Sequence, residues 1–267
     1  MTSQRLFAFI FSLVVATGCQ RSGPAAKLPR AEARSNAPVV AAPAEQWASK
    51  SPREWPQLVL TNYAEFNGHT PLHGASAFLV KTQDGRTLAA TARHLIGASG
   101  GVEPEIPVAG LDAAIRLWRM HPRTLPDQFI LAEKVAAGGL AQETFDWLIL
   151  SVKPSSESLP ATPLHLRPQP VQIGDKVYLV GCPYVEEACK QNVYAGKVTA
   201  REGNLFRYDI DSPVDIRGFS GAPILDHNGH VAGVMTVWFE AKLQGEKFLE
   251  AGGEDAASVY QLVEGHR

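Results

Sequence analysis

Ten short apolar runs rich in β-branched and aromatic residues follow residue 57, and they constrain the fold of this chain more than any other feature. Gly, Pro, Asn and Asp separate the runs, and Asp84-Gly85 and Asn228-Gly229 are turn pairs typical of hairpins. Many short strands separated by turn residues predict an all-β sandwich or barrel. The runs occupy residues 58–61, 76–81, 87–92, 128–135, 147–152, 176–181, 193–199, 205–210, 222–225 and 231–239.

The segments between these runs are less informative. Residues 111–120 are compatible with either a strand or a short helix. Residues 252–257 are predicted to form a polar loop, and residues 258–263 a short terminal helix. From residue 55 onward the chain is long enough for one sizeable core or for two small fused ones.

Three motifs carry chemically useful side chains. Ser220 lies in Gly-Phe-Ser-Gly-Ala-Pro at residues 218–223, His94 ends Thr-Ala-Arg-His at residues 91–94, and Asp146 begins Asp-Trp-Leu-Ile-Leu at residues 146–150. A serine hydroxyl becomes a good nucleophile when a base takes its proton, and an acid can orient that base. Each residue alone is more often structural. Their order and local contexts together favour a catalytic set.

With these motifs the chain resembles the trypsin/chymotrypsin superfamily, most closely the bacterial HtrA/Deg-like trypsin domains. The order His, Asp, Ser is that of chymotrypsin and differs from that of subtilisin and of the α/β-hydrolases. Supporting matches are Gly-Asp-Lys-Val-Tyr-Leu-Val-Gly-Cys-Pro at residues 174–183 and Asn-Val-Tyr-Ala-Gly-Lys-Val at residues 192–198. The resemblance covers about residues 58–240, and no segment remains for a PDZ domain, which distinguishes the chain from full-length HtrA proteins.

The resemblance implies two six-stranded antiparallel β-barrels with the active site in the cleft between them. Within a protease domain spanning residues 55–267, barrel 1 would cover about residues 55–155 and barrel 2 about residues 165–267. Residues 153–170 contain five prolines and would connect the barrels. His94 and Asp146 would come from the first barrel and Ser220 from the second.

The resemblance also implies a serine endopeptidase that cleaves protein or peptide substrates through an acyl-enzyme, without a cofactor or metal. His94 would act as base, Asp146 would orient it, and Ser220 would attack. The backbone N–H groups of Gly218 and Ser220 would form the oxyanion hole. Phe219 replaces a polar anchor usual in the family, so we expect a loop that is mobile without substrate. The alternatives are a weak or inactive trypsin-fold protein-binding lipoprotein and a structural surface lipoprotein.

The primary substrate pocket is assigned by the same resemblance. Val214, six residues before the serine, would line its base, and Thr236 and Trp238 would line its wall. Trypsin-like cleavage after Lys or Arg needs an acid at the base, so Val214 and the bulky Trp238 predict small aliphatic P1 residues. Asp215 is adjacent, and a shift of one residue would place its carboxylate in the pocket instead.

The N-terminus has the pattern of an export signal over residues 1–18. Arg5 is followed by an apolar run too short to span a bilayer and then by Ala-Thr-Gly-Cys, which resembles a bacterial lipobox ending in Cys19. The sequence therefore predicts a lipidated Cys19 and a membrane-anchored lipoprotein of the cell envelope, facing the periplasm or the exterior. Cleavage by a general signal peptidase, with Cys19 incidental, is the alternative.

A Pro- and Ala-rich segment, residues 19–54, is predicted to be a flexible tether. The two remaining cysteines, Cys182 and Cys189, are compatible with a local disulfide in an oxidising compartment or with two buried thiols, while a zinc site would need more ligands. The net charge is −2, and nothing in it suggests a basic nucleic-acid-binding face.

Overall fold

Two closed antiparallel β-barrels of six strands each form the molecule, as a computed structural model shows. The structure describes residues 41–136, 145–154, 158–212, 214–243 and 246–265, and within these ranges the side chains of residues 237–250 are outside the described part. The predicted all-β, chymotrypsin-like architecture is confirmed.

The first barrel has the strand order β1-β2-β3-β6-β5-β4. A short helix of about two turns, α1 (Val108–Ala114), precedes its fourth strand. Its strands are β1 (Val59–Phe66), β2 (Leu72–Lys81), β3 (Thr87–Ala92), β4 (Ile115–His121), β5 (Ile130–Val135) and β6 (Trp147–Val152).

The second barrel has the order β10-β11-β12-β9-β8-β7 and is followed by the helix α2 (Ala257–Glu264). Both barrels close by pairing the first and last strands of these orders, so among the described residues neither barrel has an unpaired edge of the kind that promotes aggregation. Its strands are β7 (Lys176–Gly181), β8 (Asn192–Glu202), β9 (Leu205–Ile210), β10 (Pro223–Leu225), β11 (Val231–Leu243) and β12 (Glu246–Asp255).

Each of the ten apolar runs overlaps a strand, but two strands depart from the sequence-based expectations. Residues 111–120 combine the two open alternatives, since α1 ends at Ala114 and β4 begins at Ile115. The predicted polar loop at residues 252–257 is wrong, because β12 continues to Asp255. The terminal helix α2 is confirmed.

Three apolar clusters make up the core. One fills the first barrel and includes Trp118, and another fills the second barrel and includes Phe206. The third cluster lies between the barrels, where Phe78 of β2 and Trp147 of β6 pack edge to face with ring centroids 6.0 Å apart. The inter-barrel cluster fixes the two halves of the molecule against each other, as a site built from both barrels requires.

Residues 41–54, which were predicted to be part of a flexible tether, are instead packed on the folded domain. Residues 41–54 pack on the second barrel: the Glu45 N–H donates to the Asn228 carbonyl at 2.8 Å, and the rings of Trp47 and Trp55 meet at 5.1 Å. The low apolar content of the segment suggested a tether, but its Trp47 is enough to anchor it on the inter-barrel cluster.

None of the helices in the described part of the chain is long and apolar enough to cross a bilayer.

Candidate active site

His94 and Asp146 form a closely bonded pair at one end of the first barrel. His94 follows β3 in a 3-10 helix, Arg93–Ile96, whose buried Leu95 and Ile96 hold the turn in place. The His94 Nδ1 lies 2.6 Å from Asp146 Oδ2, and the His94 backbone N–H donates to Asp146 Oδ1 at 2.8 Å. Because one carboxylate accepts both bonds, the imidazole is fixed with its Nδ1 protonated and its Nε2 free to accept a proton. The His94 and Asp146 side chains are 23% and 22% exposed, so substrate can reach the pair.

Asp146 is itself held by its backbone on two sides. Its carbonyl accepts the Arg93 N–H at 2.8 Å, and its own N–H donates to Glu254 Oε2 at 2.5 Å. The Arg93 side chain donates from Nε to the Phe145 carbonyl at 2.8 Å. Arg93 therefore holds the turn that carries Asp146.

Ser220 comes from the loop before β10 of the second barrel, and this loop contacts the first barrel. Its carbonyl accepts the Ser76 N–H of the first barrel at 2.8 Å. A Cβ atom on the next residue, Gly221, would lie 2.9 Å from the Ala92 nitrogen and closer still to Ser76 and Thr91, so only glycine fits against the end of β3. The serine loop is thereby pressed against the strand that leads into His94. Within the described residues no hydrogen bond joins the Ser220 hydroxyl to the His94 ring.

A buried polar cluster holds Ser76 in its position between the barrels. The Ser76 carbonyl accepts Thr91 Oγ1 at 2.7 Å and Asn62 Nδ2 at 3.1 Å. Asn62 in turn accepts the Trp118 indole N–H at 3.0 Å. Because buried polar atoms are costly to leave unpaired, this set fixes Ser76, whose N–H and hydroxyl then hold the serine loop.

The two backbone N–H groups predicted to form the oxyanion hole donate to no acceptor among the described residues. In the described part of the chain the N–H groups of Phe219 and Gly221 donate to backbone carbonyls, whereas those of Gly218 and Ser220 have no acceptor. The Gly218 carbonyl, by contrast, accepts the Ser76 hydroxyl at 2.9 Å. Two unpaired N–H groups on either side of Phe219 in the serine loop are available to bind a developing oxyanion.

Phe219 holds the serine loop through its own side chain, and the expected mobility of the loop without substrate stays a prediction. Its side chain is fully buried, packs on Tyr194 with ring centroids 5.6 Å apart, and fills the space above Gly181. An apolar anchor inside the second barrel replaces the polar one that is usual in the family, since burial of an aromatic ring is itself strongly favourable.

A disulfide between Cys182 and Cys189 closes a loop next to the oxyanion donors. Tyr184 of this loop lies over Gly218, where an added Cβ would come within 3.1 Å of the ring, and its hydroxyl accepts the Ala75 N–H at 2.8 Å. Gly218 has φ of 103°, a conformation that favours glycine, so both its backbone and its neighbours select that residue.

The residues predicted to line the primary pocket lie on the second barrel. Val214 is half-buried against the second-barrel core, and Thr236 is buried where the β11–β12 register shifts. The backbone of Trp238 pairs with Ala251, while its side chain is outside the described part. Asp215 is bound to Arg217, whose Nε lies 2.9 Å and 3.0 Å from its two oxygens. This partner lowers the Asp215 pKa to about 2 and satisfies its charge.

Sequence reasoning missed Ser76, Tyr184 and Glu254, each of which contacts the site from a distant point of the chain. No spacing pattern marks them, because their hydrogen bonds to the site are made with backbone groups, which every residue has. Among the residues that the structure describes, no group of three or more His, Cys, Asp or Glu side chains is arranged to hold a metal ion.

Comparison with solved structures gives distant likenesses. The Rv3671c protease in an inactive form is 18% identical, with a TM-score of 0.46 over 76% of this chain and 85% of that chain. A serine-to-alanine mutant of Rv3671c from M. tuberculosis H37Rv, also inactive, is 16% identical, with a TM-score of 0.48 over 83% of this chain and 92% of that chain.

Comparison with curated proteins finds no significant match. Comparison with protein families matches residues 75–234, more than half of the chain, to the trypsin-like peptidase domain. That range contains His94, Asp146 and Ser220. The chain therefore belongs to the trypsin-like peptidase family, and it is a serine peptidase.

Proposed function

We propose that the protein is a serine endopeptidase in which Ser220 is the nucleophile, His94 the general base and Asp146 the residue that orients His94. The observation that carries this proposal is the Asp146 carboxylate, which accepts both the backbone N–H and the Nδ1–H of His94. This arrangement leaves Nε2 as the basic nitrogen, directed away from Asp146. The serine loop, pressed against the end of β3, supports the assignment of Ser220 as its partner.

The reaction follows from these roles. Ser220 Oγ attacks the scissile carbonyl carbon while His94 Nε2 takes its proton, and Asp146 stabilises the imidazolium that results. The N–H groups of Gly218 and Ser220 bind the negative oxygen of the tetrahedral intermediate. His94 then donates the proton to the leaving amine, and an acyl-enzyme remains. Water, deprotonated by His94, releases the acid and restores the serine.

A fluorophosphonate probe tests this mechanism directly, because it phosphonylates a serine hydroxyl only when a base activates it. We expect an adduct on Ser220 that peptide mass spectrometry locates. Loss of labelling in Ser220→Ala and in His94→Ala would support the pair. Absence of labelling in the intact folded protein would contradict the mechanism.

We expect a preference for small aliphatic P1 residues over Arg and Lys. Val214 supplies no charge at the pocket base, and Asp215 is already paired with Arg217. A cationic side chain buried without a counter-charge loses its hydration, whereas a well-fitted apolar one gains about 1–3 kcal/mol. Values of kcat/KM for matched peptides should favour Val or Ala over Arg at P1 by about 100-fold.

Asp215→Ala provides the control for this specificity. It should leave the preference unchanged if the Asp215 carboxylate is outside the pocket. If Arg is the preferred P1 residue and Asp215→Ala abolishes that preference, the alignment of Val214 with the pocket base is off by one residue and the apolar-pocket proposal fails.

We also propose, from the sequence alone, that the mature chain begins at a lipidated Cys19 and is anchored in the cell envelope. The short apolar run ending in Ala-Thr-Gly-Cys supports this proposal, although residues 1–40 are outside the described part. Mass spectrometry of the mature N-terminus should show diacylglyceryl-modified Cys19, and Cys19→Ala should release the protein from the membrane fraction. A mature N-terminus without lipid would refute the proposal.

A further inference from the structure

Glu254 is a buried carboxylate behind the His94–Asp146 pair, with no role in the mechanism above. It lies in β12 of the second barrel and is only 4% exposed. Its Oε2 accepts the N–H of Asp146, which belongs to the first barrel, at 2.5 Å. Among the ion pairs of the described residues, none includes Glu254. Burying a charged carboxylate without a cation beside it destabilises the fold, so packing alone does not explain why a glutamate stands at this position.

The charged groups around Glu254 are Asp146, Arg93 and Asp255. Asp255 is already satisfied, since its oxygens accept the N–H groups of Val171 and Ala257 and one lies 3.4 Å from Arg201. Burial is the main cause that raises the Glu254 pKa to about 7. The Asp146 N–H and Arg93 oppose this rise, while the charges of Asp146 and Asp255 add to it. Glu254 therefore changes charge within the working range of a histidine base.

Glu254 is also the contact that ties Asp146 to the barrel that carries the nucleophile. The other anchors of the Asp146 turn, through Arg93, come from the first barrel itself. Ser220 and Glu254 both belong to the second barrel, in the loop before β10 and in β12. The bond from Glu254 to Asp146 thus fixes the His94–Asp146 pair relative to Ser220, and small errors in such positions are expensive for catalysis.

We propose that Glu254 is a positioning residue that holds Asp146 from the opposite barrel and, when ionised, adds negative charge behind the His94–Asp146 pair. The proposal rests on the proposed roles of His94, Asp146 and Ser220. The ionised carboxylate strengthens its bond to the Asp146 N–H, since charge-assisted bonds are about twice as strong as neutral ones. Its charge also favours the imidazolium that forms in the transition state. Ionisation of Glu254 therefore raises activity as the pH increases through neutrality.

Glu254→Gln separates the charge from the contact, because glutamine retains the size and a carbonyl acceptor. We expect kcat/KM equal to wild type near pH 5.5, where Glu254 is protonated, and lower by about tenfold near pH 8.5. Between these two pH values the kcat/KM profile should depend on one proton more in the wild type than in Glu254→Gln. Glu254→Ala removes the contact as well, so kcat should fall by about 10- to 100-fold at every pH, with KM changed little.

Glu264→Gln is the matched control, because Glu264 Oε2 likewise accepts a backbone N–H, that of Gln83 at 2.8 Å, but at the far end of α2. It should leave the pH profile unchanged.

If Glu254→Gln has the wild-type profile, or is weakened equally at all pH values, the charge role is refuted. Circular dichroism identifies a Glu254→Ala variant that fails to fold, and the Glu254→Gln profile then decides alone. If Ser220→Ala and Asp146→Asn remain active, the triad itself is wrong. If they are inactive and both Glu254 variants behave as wild type, only the role of Glu254 is wrong.

Discussion

Ser220→Ala is expected to lower kcat for hydrolysis of a denatured protein by about 10⁶-fold. The remaining rate enhancement would come from the oxyanion donors and from substrate binding. The change removes a single oxygen atom, and the contacts that hold the loop are made by other groups. The Ser220 carbonyl still accepts the Ser76 N–H, and Phe219 still fills the second barrel. Thermal unfolding should therefore show a melting temperature close to that of wild type.

The combination Ser220→Ala with His94→Ala distinguishes a working pair from two independent residues. A base without its nucleophile contributes nothing, so the double variant should be about as active as either single variant. Ser151→Ala is the matched control. It removes the same oxygen atom from a serine whose hydroxyl donates a hydrogen bond to the Lys134 carbonyl on β5, within the first barrel. It should retain full activity. Hydrolysis by Ser220→Ala at the wild-type rate would overturn the assignment of the nucleophile.

The strand and turn pattern predicted an all-β sandwich or barrel, and the family resemblance carried by the three motifs implied the two barrels and the pairing of His94 with Asp146. Strand and turn signals act over a few residues, so the ten apolar runs could be recognised one at a time. The strand β12 was not predicted because it contains Gly252 and Gly253, and glycine pairs are typical of loops. In the folded chain a Cβ on Gly253 would lie 2.4 Å from the Ile224 side chain, so this glycine permits close packing inside the second barrel.

The supporting contacts of the site could not be predicted, for a related physical reason. Glu254 and Asp146 are separated by 108 positions, and Ser76 and Gly218 by 142. Each contact joins one side chain to one backbone group, and a backbone group is present at every residue. A sequence pattern therefore shows which residues can do chemistry, while the tertiary fold determines which residues hold them in place.

Asp146→Asn is expected to lower kcat by about 10⁴-fold without unfolding the protein. The asparagine oxygen can still accept the His94 backbone N–H, as Asp146 Oδ1 does at 2.8 Å. Its NH₂ group then faces Nδ1, which lies 2.6 Å from Oδ2 in the present structure. A donor at that position requires Nδ1 to be the acceptor, so the proton moves to Nε2. The imidazole then cannot take the proton of Ser220, although its position is unchanged.

Asp226→Asn is the matched control for this tautomer argument. Asp226 is a buried aspartate that, like Asp146, accepts backbone N–H groups: its Oδ1 accepts those of Asn228 and His230 at 2.8 Å and 3.0 Å. The same loss of charge there should leave kcat unchanged, because no histidine tautomer depends on it. Steady-state kinetics with one peptide substrate should show a large fall in kcat for Asp146→Asn and a KM within a few-fold of wild type. An equal KM and a kcat near that of wild type would mean that Asp146 holds the His94 turn in place but does not set the tautomer of the His94 ring, and the assigned role of Asp146 would be refuted.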